Sequence, residues 1–267
     1  MRTVGVFFIF LYSILLLHAE GELSITYKGM GRTYKETKNP YTVTYVLDID
    51  GNKSHFYCPL YERQDDVIDS LLKSGYNAYE VMDEIRKQNL VGKTTPYNVF
   101  KNYPEQGKII LTDVILKKFQ YKESMPKMDW TLEETDSIIA GYHCFKATTK
   151  YRGRTWTAFY TMDIPVNDGP WKLYGLPGLI LYARDSKNDF SFDCIGIEQG
   201  CKRPIIIREA KYKQCTAKGL CSLKRLYAKS YTEFVYRTSG DRPQRFDANG
   251  RPLKEVPKTA CLLEIIE

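Results

Sequence analysis

The sequence predicts a mainly β protein: a wide, curved antiparallel sheet, a half-barrel or open barrel, with two short helices after its third strand and a helix in its C-terminal part. Three observations lead there. Short segments of alternating apolar and polar residues recur along most of the 267-residue chain. That is the period of a half-buried strand. Most are joined by short Gly-, Asn-, Asp- or Pro-containing turns, so strands follow one another up and down, and about nine of them make a sheet wide enough to curl. The period changes to a helical one in only three places. A hydrophobic share of 43% suffices for one sizeable core.

In order, residues 22–28 and 41–49 alternate as strands. Asp50-Gly51-Asn52-Lys53 turns the second into a third at 55–58, stopped by Pro59. Residues 62–72 place Val67, Ile68, Leu71 and Leu72 at helical spacing, ended by Gly75. Asn77 with Glu80 spells a capping box for a second helix carrying Val81, Ile85 and Leu90 on one face. Strand patterns resume at 95–103, 108–116 and 119–122. Trp130 begins a polar connection through Glu133, Glu134, Thr135 and Asp136. A long strand at 138–151 turns at Arg152-Gly153 into 154–164, and further strands follow at 179–184 and 190–197. Residues 205–207 read as an edge strand and 216–235 as one helix capped by Thr216. The Pro-, Gly- and charge-rich stretch 239–258 reads as a loose tail that docks through Leu262, Leu263, Ile265 and Ile266. The 21 tyrosines suit a sheet with an amphipathic concave face.

The ends carry other information. Met1-Arg2, an apolar run from 4 to 17 and Ala19 describe a cleavable signal peptide over 1–20. The organisation read is thus 1–20 signal, 21–200 β domain and 201–267 basic extension. Export makes disulfides the default for the seven cysteines, one of which must stay unpaired. Cys215 with Cys221, Cys194 with Cys201, and Cys144 with Cys194 are the pairings within reach. The net charge of +7 is concentrated at 201–260, with fifteen Lys or Arg against five Asp or Glu. In an exported protein this argues against nucleic acid and for a solvated basic face.

No catalytic set emerges. There is no nucleophile elbow and no phosphate-binding glycine loop. His143 and Cys144 are strand neighbours that point to opposite faces, which weakens both a Cys–His dyad and a shared metal. No metal or other cofactor is expected, and the carboxylate pairs read as solvated charge. Two stretches stand out instead. In the 144–164 hairpin, Arg152 and Arg154 flank the tip while Trp156, Ala158 and Tyr160 share a face, so Trp156 can stack on Arg154 or Trp171. In 168–181, Pro177 presets a turn whose third position, Gly178, is expected at positive φ before a buried strand. The ligand- or partner-binding candidates are Arg152, Arg154, Trp156, Tyr160, Trp171, Gly175, Leu176, Pro177 and Gly178.

These stretches carry a resemblance. Gly141-Tyr-His-Cys-Phe-Lys-Ala147, Arg152-Gly-Arg-Thr-Trp-Thr-Ala-Phe-Tyr-Thr161, Ile164-Pro165, Gly169-Pro-Trp-Lys172 and Gly175-Leu-Pro-Gly-Leu-Ile180 stand in order and spacing similar to the GLPGLI family of Bacteroidota. The resemblance runs over about 23–197. It implies export to the periplasm, a β-rich fold and genes lying beside those of TonB-dependent outer-membrane receptors. It supplies no settled activity and no catalytic residues. The expectation is a non-enzymatic periplasmic protein that binds a peptide, lipid or small hydrophobic ligand on its concave face or assists TonB-dependent transport. The alternatives are an interaction protein that docks on an outer-membrane partner without a ligand, and a metal handler or hydrolase using His143, His55 or a free cysteine.

Overall fold

The computed structural model describes residues 22–92, 94, 97–200, 203–247 and 249–266. The signal-peptide expectation at 1–20 lies outside them. Twelve strands form one sheet: β1 (Leu23–Gly31), β2 (Tyr41–Asp50), β3 (Lys53–Tyr57), β4 (Tyr97–Lys101), β5 (Lys108–Ile115), β6 (Lys117–Ser124), β7 (Thr131–Ile139), β8 (Tyr142–Tyr151), β9 (Arg154–Thr161), β10 (Leu179–Asp185), β11 (Ser191–Gln199) and β12 (Lys213–Gln214). Their order is β12-β6-β5-β4-β3-β2-β1-β11-β10-β9-β8-β7. All pairs are antiparallel except β12 on β6. The sheet is open, with edges at β12 and β7.

One ion pair measures how far the sheet curls. Glu123 on β6 meets Arg152 in the turn between β8 and β9. Strands β6 and β9 are second and tenth in the order. In a flat sheet, eight steps of about 4.8 Å would hold them roughly 38 Å apart. The concave face encloses the main core, where Tyr45 and Phe192 pack on Phe56 and Trp156 lies over Phe192.

Four helices complete the fold: α1 (Pro59–Lys73), α2 (Ala78–Lys87), α3 (Ala217–Lys229) and α4 (Tyr231–Ser239). The capping box at Asn77 and Glu80 forms as expected. Val81, Ile85 and Leu90 make a small core with α1. Pro59 opens α1 as well as ending β3, since a first helical turn needs no N–H there. The acidic face of α1 receives the basic extension: Arg208 pairs with Asp69 at 2.7 Å and with Glu62, Asp65 and Asp66.

Four sequence readings are corrected. The polar connection after Trp130 is strand β7, and 138–151 is not one strand, because Ala140 and Gly141 at φ 51° and 85° turn the chain between β7 and β8. β7 is nearly all exposed, so no alternation marks it. The helix at 216–235 is two helices, since Ser230 is extended (φ −155°, ψ 112°) and its side chain caps α4 by accepting from Glu233 N–H at 3.2 Å. Residues 205–207 form no strand, and β12 takes the edge at 213–214.

The disulfide expectation also falls. All six described cysteines, Cys58, Cys144, Cys194, Cys215, Cys221 and Cys261, are free thiols. Cys144 and Cys194 lie on β8 and β11 with β9 and β10 between them, not on neighbouring strands. The thiols of Cys215 and Cys221 are turned to different partners, the carbonyls of Gln120 at 3.5 Å and Glu264 at 3.4 Å. Cys201 is outside the described residues.

Candidate functional site

The candidate site is the concave face where the 162–178 connection between β9 and β10 meets the end of the chain. The connection is held by its own backbone. Asp168 accepts from Gly169 N–H at 2.6 Å, and its carbonyl accepts from Ile180 N–H at 3.0 Å. Lys101, from β4, reaches into the bend. It pairs with Asp168 and donates to the carbonyls of Gly169 at 2.7 Å and Trp171 at 3.1 Å. Burial pulls the Lys101 ammonium below its usual pKa, and Asp168 opposes that. Trp171 is itself in the left-handed region at φ 55°. A bulky residue pays strain there and persists only where its surroundings fix it. Those surroundings are Trp156 at 5.5 Å, Tyr151 at 5.6 Å and the Lys101 bond.

The two glycines differ in what they supply. Gly175 carries the positive φ, at 98°, and its N–H donates to Asn167 Oδ1 at 2.5 Å. Gly178 does not, and its expected positive φ is corrected: a Cβ there would lie 2.0 Å from the Thr161 carbonyl oxygen. The constraint is close approach of two backbones. That approach lets Leu179 pair with Thr161 at the start of β10.

Lys172 is the centre of a buried polar cluster. Its side chain is 0% exposed, and its ammonium pairs with Glu123 at 2.7 Å and Glu264 at 2.5 Å and also contacts the Tyr121 hydroxyl. Tyr121 in turn donates to Glu264 Oε1 at 2.8 Å. Burial, then Glu264 and Glu123, pushes the Tyr121 hydroxyl well above its usual pKa, so it stays a donor. Arg152 pairs with Glu123 from the opposite side.

Arg154 is buried and pinned. It binds Asp185 at 2.6 Å and Asp189 at 3.1 Å, lies over the Phe190 ring at 4.6 Å, and donates through Nε to the Leu262 carbonyl at 2.9 Å. Asp185 is fixed by the N–H groups of Asp189 and Phe190 at 2.9 and 2.8 Å. The structure puts Trp156 in ring contact with Trp171, while Arg152 lies over Tyr151 and Arg154 over Phe190 rather than over Trp156. Trp156, Tyr160, Leu176 and Gly178 are interior, while Gly175 and Pro177 are exposed. The residues that sequence reasoning missed are Lys101, Lys172, Tyr121, Glu123 and Glu264. For Lys172 the only signal was its place after Pro170-Trp171.

Between the sheet, α3 and residues 260–263 lies a chamber of about 360 Å³, walled by Tyr34, Tyr41, Tyr97, Phe190 and Tyr227, with Lys224 at one side. Lys224 pairs with the buried Asp113. Burial raises the Asp113 carboxyl, and Lys224 pulls against it. The two described histidines, His55 and His143, lie apart from this face. His143 faces out and bonds Asp136 at 2.7 Å, while its neighbour Cys144 is buried on the opposite face. His55 bonds Asn98 at 2.9 Å, and burial lowers its pKa to about 4. Among the described residues no three His, Cys, Asp or Glu side chains are placed to hold a metal ion.

Residues 150–182 match the model of a family described as "Protein of unknown function (Porph_ging)". The matched stretch runs from the β8–β9 tip through Lys172 to the start of β10. It is compatible with the GLPGLI resemblance read from the sequence. No curated protein matches the chain. Two solved structures are similar to it: "Structure of PNGF-II in P21 space group" and "Structure of PNGF-II in C2 space group". They share 14% and 13% identity, each at a TM-score of 0.48, and the alignments cover 77% of this chain and 34% and 33% of theirs. The chain thus spans about a third of the length of either.

Proposed function

We propose that this is a non-enzymatic binding protein of the GLPGLI type, working in the periplasm, that holds a peptide, lipid or small hydrophobic ligand on its concave face. The observation that carries the proposal is the tyrosine-walled chamber. Its volume of about 360 Å³ lies within the range of small-ligand pockets, and its apolar walls carry a few polar groups at the rim. Tyrosine rings offer a ligand both flat apolar surface and a hydroxyl. Native mass spectrometry of the protein purified from its own host is expected to show a copurifying small molecule. A Thr33→Trp variant, filling the chamber from its wall, is expected to lose that molecule and to stop taking up a fluorescent fatty acid while remaining folded. Unchanged uptake by that variant, with nothing copurifying, would overturn the reading.

The second reading is docking on an outer-membrane partner such as a TonB-dependent receptor. The exposed edge strand β7 favours it. Ile138 and Leu132 there are 75% and 60% exposed, and an open edge can accept another strand. In this reading, crosslinking to the receptor in cells is lost in Ile138→Lys.

A further inference from the structure

We propose that the concave face is a recognition groove for an extended peptide with a leucine two residues before a glutamate, and that the chain's own C-terminal segment fills it in cis. This deepens the ligand-binding reading and rests on it. The segment 259–266 belongs to no helix or named strand and touches the groove as a bound peptide does. Its backbone is bonded along its length. The Thr259 carbonyl accepts from Lys35 N–H at 2.9 Å, Cys261 N–H donates to the Thr33 carbonyl at 2.9 Å, and the Leu262 carbonyl accepts from Arg154. Ile265 N–H donates to the Arg152 carbonyl at 2.8 Å, and the Ile266 carbonyl accepts from Arg225 at 3.1 Å. Side chains supply the specificity. Leu262 and Leu263 border the tyrosine chamber, and Glu264 reaches Lys172 and Tyr121.

Two features separate this segment from an ordinary core strand. The first is its tether. Residues 240–257 separate it from α4, and the described ones among them lie in no helix or named strand. Extended, such a tether spans roughly 60 Å, enough for the segment to leave while the chain stays whole. The second is fit. Glu264 Oε2 is buried with no hydrogen-bond partner among the described residues, although Oε1 has two. Buried polar groups are ordinarily paired, so this oxygen marks a bonding position that the segment leaves unfilled. Two of the groove's charged residues also have partners outside the segment: Arg154 pairs with Asp185, and Lys172 with Glu123.

The experiment inserts a protease recognition sequence between Asn249 and Gly250, at the exposed turn closed by Asp247. The intact protein is compared with the cut protein after dilution and gel filtration. The probe is a fluorescein-labelled synthetic peptide of residues 256–267. The cut protein is expected to keep its sheet by circular dichroism, to release its tail on dilution, and to bind the probe saturably. A probe with Glu264→Gln should bind roughly fivefold more weakly, the loss of a charge-assisted contact. The uncut protein should bind the probe at least a hundredfold more weakly, because its tethered tail competes at about millimolar effective concentration. A tail that never leaves, a sheet that collapses once it has left, or equal binding before and after cutting would each overturn the proposal. Fatty-acid uptake by the uncut protein is scored separately. Uptake without peptide exchange removes this inference alone, whereas peptide exchange without uptake leaves only the peptide version of the ligand-binding reading.

Discussion

Two irregular segments share the concave face, and the chain ties them down differently. The 162–178 connection is fastened at both ends, to β9 and β10, with Gly178 against Thr161, and Lys101 and Glu123 grip it from other strands. The 259–266 segment is held mainly by groups far away in sequence, including Lys35, Tyr121, Arg154 and Lys172. The first has no way out without dismantling β9 and β10. The second needs its hydrogen bonds, its ion pair to Lys172 and the burial of Cys261 and Leu262 to give way. Irregular backbone is therefore two things in one molecule, a structural brace and a seated strand. What distinguishes them is how the flanking chain is built in, into β9 and β10 for the first and into an irregular tether for the second.

Substitutions should separate the two in that order. Gly178→Ala puts a Cβ into the Thr161 carbonyl and is expected to cost about 3 kcal/mol or more, read by urea denaturation. An effect below about 1 kcal/mol would show that the brace yields as easily as the tail. Lys172→Met leaves Glu123 and Glu264 buried without their ammonium and should cost about 3 kcal/mol. Glu264→Gln keeps a hydrogen-bond acceptor on the same cluster and should cost about 1 kcal/mol, with the sheet signal unchanged. If the two variants cost the same, Lys172 acts through the tail alone and not through Glu123.

Acid acts on the sheet that carries both segments. His55 is buried neutral, with its pKa lowered from 6.5 to about 4 by burial. Above pH 6.5 the ring is neutral folded and unfolded, so it contributes no pH dependence. Between pH 6.5 and 4 the unfolded chain binds the proton and the folded one resists it. Stability should therefore fall by about 3 kcal/mol across that window and level off below it. His55→Gln should flatten that part of the profile. The smallest effect belongs to Gly175→Ala, at about 1 kcal/mol. Its φ of 98° disfavours a side chain, but the nearest atom to an added Cβ is Trp130 Nε1 at 3.4 Å.

Much of this frame was legible in the residues. The capping box at Asn77, the Gly51 turn and the shared face of Trp156, Ala158 and Tyr160 depend on local spacing, and local spacing is what a sequence displays. β7 was illegible because a strand exposed on both faces has no alternation to show. The role of Gly178 was misread because the atom that demands a glycine belongs to Thr161, across the pairing of β9 and β10. The buried ammonium groups of Lys101 and Lys172 were invisible for a related reason. Their partners Asp168 and Glu264 come from elsewhere in the chain, and an unpaired lysine reads as surface.

The unbridged cysteines have a chemical consequence. Burial raises Cys144 and Cys194 to about 11. At neutral pH about one molecule in ten thousand carries either as thiolate, the form that reacts with oxidants and disulfides. Cys58, Cys215, Cys221 and Cys261 are shifted upward as well, each chiefly by burial. Burial thus holds each of these described sulfurs toward its protonated, less reactive form while the chain is folded. For them the exposed interval is the one before the sheet has closed, so the speed of folding sets how long an oxidant can reach their thiolates.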